Sequence, residues 1–130
     1  MRELLNPPDL HPAPGFNHVA LATGTRSIHV AGQVALDMHF GLVGGDDLGE
    51  QTKAAMRNVQ IALNAAGVGW DDVVRRTIYT VHPTEYEAIT AAIDEVTGGA
   101  EYPAQTILGV TGLAVPGLLI EIECTAVRGH

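Results

Sequence analysis

Period-two alternation is strongest at the end of the chain. There two apolar runs, YPAQTILGV and LLIEIECTAV, flank a turn over residues 111–117. Strand side chains alternate between faces. Leu118, Ile120, Ile122, Cys124 and Ala126 therefore make one wholly apolar face, and Glu121, Glu123 and Thr125 make the other. In the first run Gln105, Ile107 and Gly109 oppose Ala104, Thr106, Leu108 and Val110. The two runs predict neighbouring strands. If their apolar faces meet one core, Gln105 and Glu121 share the opposite, polar side. Carboxylates on so apolar a strand need a partner, water or a ligand.

Upstream, residues 1–15 hold Pro7, Pro8, Pro12 and Pro14 and predict an extended lead-in. Residues 17–23 (NHVALAT) and 27–33 (SIHVAGQ) flank a three-residue loop, which is a hairpin signal. Residues 37–46 (DMHFGLVGGD) lack the Lys-Ser/Thr ending of a phosphate loop and predict a glycine-rich loop with a short extended piece. Leu48, Thr52, Ala55, Met56, Val59, Ala62, Leu63 and Ala66 then follow the spacing of one helical stripe. Asp46 or Asp47 caps that helix, Glu50 lies in its first turn, and Gly67 stands where a left-handed terminal glycine belongs. Residues 70–73 lead into a strand over 74–81. A second helix follows, with Thr84 and Glu87 in capping-box spacing, Tyr86, Ile89, Ile93 and Val96 on its buried face, and Gly98 at its end.

The predicted order is β-β-α-β-α-β-β, an α+β fold with both one-sided helices on one face of a single sheet. The other sheet face carries Ala, His, Thr, Gln and Glu, too little apolar surface for a second core. It meets either solvent or copies of itself.

Composition narrows the classes. The 130 residues make one domain, 1–130, with 46% hydrophobic and 17% charged residues, as expected of a folded chain. A net charge of −8 and seven basic residues without a basic run argue against a nucleic-acid partner, because phosphate contacts need Lys and Arg. Cys124 is the single cysteine, so no intrachain disulfide forms. Its core-facing position predicts a small buried hydrophobe rather than a nucleophile. No run approaches the roughly 20 apolar residues of a membrane span, and the proline-rich start does not read as a signal peptide. A cytoplasmic protein with no membrane partner is expected.

The stretches VAGQVALD, LVGGD followed by EQTKAAMRNVQIALNAAG, DDVVRRTIYTV and YPAQTILGVTGLAVPGLLIEIECTAV resemble the Rid (YjgF/RidA) family of imine deaminases over nearly the whole chain. The resemblance implies a chorismate-mutase-like subunit, a homotrimer, and three small-molecule pockets at subunit interfaces. It also implies departures. In deaminating members the residue after Pro-Ala is an arginine that grips the substrate carboxylate; here it is Gln105. Asn17 stands at the usual tyrosine, with His18 beside it, and Thr90 falls near a family asparagine. Glu121 matches the glutamate that positions or activates water. The resemblance thus implies a deaminase-like hydrolase of C=N compounds that lacks the usual carboxylate anchor. A non-catalytic binding trimer is the alternative, and a ribonuclease is a more distant one.

Each candidate keeps two readings. Glu121 is a general base or a structural contact to a neighbouring subunit. Gln105 holds a neutral polar ligand or closes an empty pocket. His18 has a side chain suited to proton transfer near neutral pH, or is structural. Asn17, Gly32, Gln33, Thr90, Tyr102, Pro103 and Ile107 complete the implied ligand-binding set. His18, His29 and Glu121 lack recognised ligand spacing, so no metal is assigned, and no cofactor motif is present. Arg75 and Arg76 are consecutive on a strand, so one points to each face. A salt bridge is the expected role, and replacement of the missing cation is the alternative.

Overall fold

The computed structural model describes residues 2–129; Met1 and His130, the ends of the expected 1–130 domain, lie outside them. A four-stranded sheet has the order β3 (Arg26–Val34), β6 (Ile120–Arg128), β4 (Val73–Thr80), β5 (Ala104–Gly109). β6 runs antiparallel to both its neighbours, and β5 runs parallel to β4. Helices α1 (Leu48–Ala65) and α2 (Tyr86–Thr97) pack together and share one core cluster with the sheet. The expected α+β class stands, with Ile78, Ile120 and Ile122 of the sheet fully buried with Met56, Leu63, Ile89 and Ile93 of the helices.

Connectivity corrects three expectations. First, the lead-in is not uniformly extended: Arg2–Leu5 forms a strand, β1, that pairs antiparallel with β2 (Val19–Ala22) in a two-stranded ribbon. The expected hairpin between residues 17–23 and 27–33 therefore does not form. Its first arm pairs backwards along the chain, where LL in β1 matches the apolar residues of β2. Second, the two closing strands are not neighbours, because β4 lies between β5 and β6. The connection after β4 runs through α2, and such a crossover gives a parallel partner. Third, the Thr84–Glu87 capping box is absent: Glu85 precedes the helix without a side-chain cap, and Tyr86 is half-exposed rather than core-facing.

Local signals at α1 are realised. Asp47 Oδ1 accepts from the Glu50 amide at 2.9 Å, and Gly67 takes φ +73° just past the helix. Gln51, on the same helix, is fully buried. Its Nε2 donates to Gly45 O (2.7 Å) and Gly117 O (2.9 Å), and its Oε1 accepts from Leu119 N (2.8 Å). One side chain thus ties the glycine-rich loop to the start of β6.

Two bulges set which side chains face where. In β3 the register slips between Val30 and Gln33, and in β4 it slips between Val73 and Arg75. The second slip has a consequence for chemistry: both Val73 and Arg76 are buried on the helix side, while Arg75 is exposed on the other.

Candidate functional site

A cavity of about 710 Å³ opens at the β5 edge of the sheet. Chain entry builds its outer wall. Gly15 holds φ +79° against Thr90 of α2, where a Cβ would meet Thr90 Oγ1 at 2.8 Å. That close approach lays residues 11–18 across the opening. His18 packs edge-on against His11 (ring centroids 4.7 Å apart) and Phe16 (5.2 Å). Its Nε2 lies 2.8 Å from the His11 carbonyl, which only accepts, so Nε2 is the donor and Nδ1 is the acceptor of the neutral ring.

Of the expected residues, His18, Thr90, Gln105 and Ile107 line this cavity together. Asn17, Tyr102 and Pro103 do not. Asn17 Nδ2 donates to Tyr102 O (2.5 Å), its Oδ1 accepts from Asn6 (2.6 Å), and its amide donates to Pro103 O (3.0 Å). Asn17 thereby moors the lead-in to the start of β5. Tyr102 donates its phenol to Asp94 Oδ2 at 2.8 Å, and burial, then that bond, pushes its pKa up. Pro103 is buried behind the cavity, beside Arg76 and Cys124. His11, Phe16, Tyr86 and Thr106 also line the cavity and were not expected. The proline-rich lead-in was the available signal; the helical spacing puts Tyr86 on a buried face and so hides it.

The register places Gln105 opposite Arg76 on the helix side of the sheet, and Glu121 opposite Tyr79 on the open side. The expectation that Gln105 and Glu121 share a face is therefore overturned. It assumed adjacent strands whose apolar faces coincide, whereas Gln105 shares its side with Ile107 and Ile78, the core side. Among the described residues neither arginine makes the expected salt bridge. Arg75 Nη2 donates to Thr106 Oγ1 at 2.6 Å, and Arg76 Nε donates to Gln105 Oε1 at 2.5 Å. Arg76 is 5% exposed, and burial lowers its pKa to about 10, so it stays charged at neutral pH.

On the open face, Tyr79 donates its phenol to Glu123 Oε1, and that bond chiefly raises the tyrosine pKa. Glu121 makes no hydrogen bond among the described residues. Its carboxylate passes so close to Gly32 that a Cβ there would stand 1.9 Å from Oε2. Gly32 thus lies against Glu121. Gln33, past the bulge, pairs opposite Ile122 and donates to Ala31 O instead. Cys124 is buried, and desolvation pushes its thiol up to about 11, so it packs as a hydrophobe and holds no thiolate at neutral pH. No helix among the described residues is long and apolar enough to cross a membrane.

Comparison with known proteins agrees with this architecture. Residues 8–128 match the family described as Endoribonuclease L-PSP. A solved Rid-family protein of unknown function, YyfB from Yersinia pestis, is 41% identical, with a TM-score of 0.90 over 97% of this chain and 98% of that one. A RutC family protein of Synechocystis sp. is 31% identical over 89% of each chain. The mouse protein named 2-iminobutanoate/2-iminopropanoate deaminase is 30% identical over 80% of this chain and 76% of its own.

Proposed function

The chain belongs to the Endoribonuclease L-PSP family, which takes in the Rid proteins, and from that premise we propose that it hydrolyses an imine- or enamine-type C=N compound in pockets completed between the copies of a homotrimer. One observation carries the reading. Gln105 lines a cavity of about 710 Å³ at one edge of the sheet, while Glu121 stands on the opposite face without a hydrogen-bond partner among the described residues. A second copy, docked with its open face against the cavity, brings a carboxylate to the amide.

In that arrangement Glu121 orients a water and takes one of its protons as the oxygen adds to the C=N carbon. Glu121 returns that proton to the nitrogen, giving the carbinolamine; the hydroxyl proton then passes by the same carboxylate to the departing nitrogen, so ammonia leaves and a carbonyl product remains. Gln105 brings no formal charge, so the substrate lacks the carboxylate that an arginine fork grips. Without that contact, on the order of 2–5 kcal/mol at a buried site, the protein is not a 2-iminobutanoate deaminase of the usual kind. A non-catalytic binding trimer is the second reading, favoured by the lack of any described group that orients Glu121 within its own chain. An RNA partner is disfavoured by the net charge of −8.

The test is ammonia release from freshly generated imines, with and without a carboxylate, by the natural protein and Glu121→Gln. Turnover of a neutral imine that falls at least tenfold in Glu121→Gln supports the hydrolase. Equal rates in both proteins sink it in favour of the binding trimer.

A further inference from the structure

Arg76 is a buried cation with almost nothing to bind. Nε donates to Gln105 Oε1 at 2.5 Å, Nη2 is buried without a hydrogen-bond partner among the described residues, and no described carboxylate pairs with it. Asp94 acts on it only at longer range. A guanidinium carries five donors and no acceptor, so the atom that Gln105 turns towards it must be the carbonyl oxygen. This fixes the amide flip that glutamine otherwise leaves open. The Gln105 Nε2 is left over, with no partner among the described residues. Gln105 lines the large cavity and Arg76 does not.

Apart from Gln105 the cavity wall is largely apolar and aromatic, with Pro12, Phe16, Tyr86 and Ile107 beside the histidines. No Lys or Arg lines it. Gln105 offers an entering carboxylate one N–H where a fork would give two, and no Lys or Arg supplies a fixed counter-charge; the other polar groups of the wall are the Tyr86, Thr90 and Thr106 hydroxyls and the rings of His11 and His18. A carbonyl or amide oxygen needs only the single donor. Resting on the imine-hydrolase reading of this pocket, we propose that Arg76 is its specificity-setting positioning residue, clamping the Gln105 amide so that the pocket receives an uncharged ligand through one carbonyl-type acceptor. The clamp has a corollary. An arginine at 105 would take away the one acceptor that Arg76 has among the described residues and set two guanidinium groups a side chain apart in a buried place. Arginine at 76 and arginine at 105 therefore exclude each other, and Gln105→Arg alone does not restore a carboxylate anchor.

The experiment is a four-member cycle on the full chain: the natural protein, Arg76→Met, Gln105→Arg and the double variant. Each is measured for its melting temperature and, by calorimetry, for binding a matched pair of product-like probes, 2-oxobutanamide and 2-oxobutanoate. The natural protein is expected to bind the amide about tenfold more tightly than the acid. Gln105→Arg is expected to melt several degrees lower without gaining the acid, whereas the double variant regains most of the loss and prefers the acid. Additive melting shifts, or a natural protein that prefers the acid, overturn the clamp. Failure of both probes to bind any member, with melting shifts that remain non-additive, leaves the clamp standing and refutes the imine reading and its ligand class.

Discussion

The two faces of β4 handle polar groups in opposite ways. On the helix side, Arg76 is sealed from solvent and held by one amide. On the open side, Tyr79, Glu121 and Glu123 form a half-buried polar row, with one phenol-to-carboxylate bond and one carboxylate left over. A buried charge with a single partner is costly to rearrange, so the helix side fixes a geometry. Polar groups at a half-covered surface keep spare capacity, so the open side is suited to meeting something else. On the proposed function, the cavity would draw its selectivity from the first kind of face and its water-handling group from the second.

Adjacent residues on β4 sharpen this contrast most strongly. Ile78→Ala, in the core between sheet and helices, is expected to cost about 2–5 kcal/mol in urea denaturation, whereas Thr77→Ala on the open face should cost less than about 0.5. Comparable losses would mean that the open face is packed as tightly as the core, and the contrast between the two faces would fail.

Next in size is Gly32→Ala. The close approach of Glu121 Oε2 forces the carboxylate to swing away. Turnover of a neutral imine should fall on the order of tenfold or more with little change in melting temperature, because a displaced group loses effective concentration. An unchanged rate would separate Glu121 from the chemistry.

The smallest effect is a pH slope. The Cys124 thiol, raised from 9.0 to about 11 by burial, holds its proton in the folded chain over a range where the unfolded chain loses it. That contribution is complete below pH 9 and is lost as pH rises through about 11. Arg76, lowered from 12.5 to about 10, works the other way and adds stability as pH climbs above its folded value. Cys124→Ala should therefore flatten the decline in melting temperature between pH 9 and 11. A decline as steep as that of the natural protein would show that the thiol is not desolvated.

The fold was largely legible, because its signals are local. Asp47 with Glu50, the stripe of α1 and the alternation of β6 each depend on neighbours in sequence. Strand partnership was not legible: nothing in YPAQTILGV says that β4 inserts beside it. The site inherited that ambiguity. A one-residue slip at Val74 decides whether Arg75 or Arg76 faces inward, and a slip by one residue moves every later side chain to the other face. Of the expected residues, His18, Thr90, Gln105 and Ile107 line one cavity, while Asn17 and Tyr102 spend their polar atoms on mooring the chain. Arg76 escaped notice as a partner of Gln105 because its role depends on the bulge and on a parallel pairing 29 residues away.

The central claim is that Gln105 and Glu121 meet only between copies of the chain. The most direct test uses a Cys124→Ala background with single cysteines at the two positions, Gln105→Cys in one protein and Glu121→Cys in another. The two are mixed, allowed to exchange subunits, and treated with a short bis-maleimide. The account predicts a cross-linked dimer in the mixture, far exceeding that from either protein alone, and resolved by mass spectrometry as a 105–121 link. Subunits that exchange freely yet yield no such link, or an intramolecular link in a chain carrying both cysteines at high dilution, would contradict it.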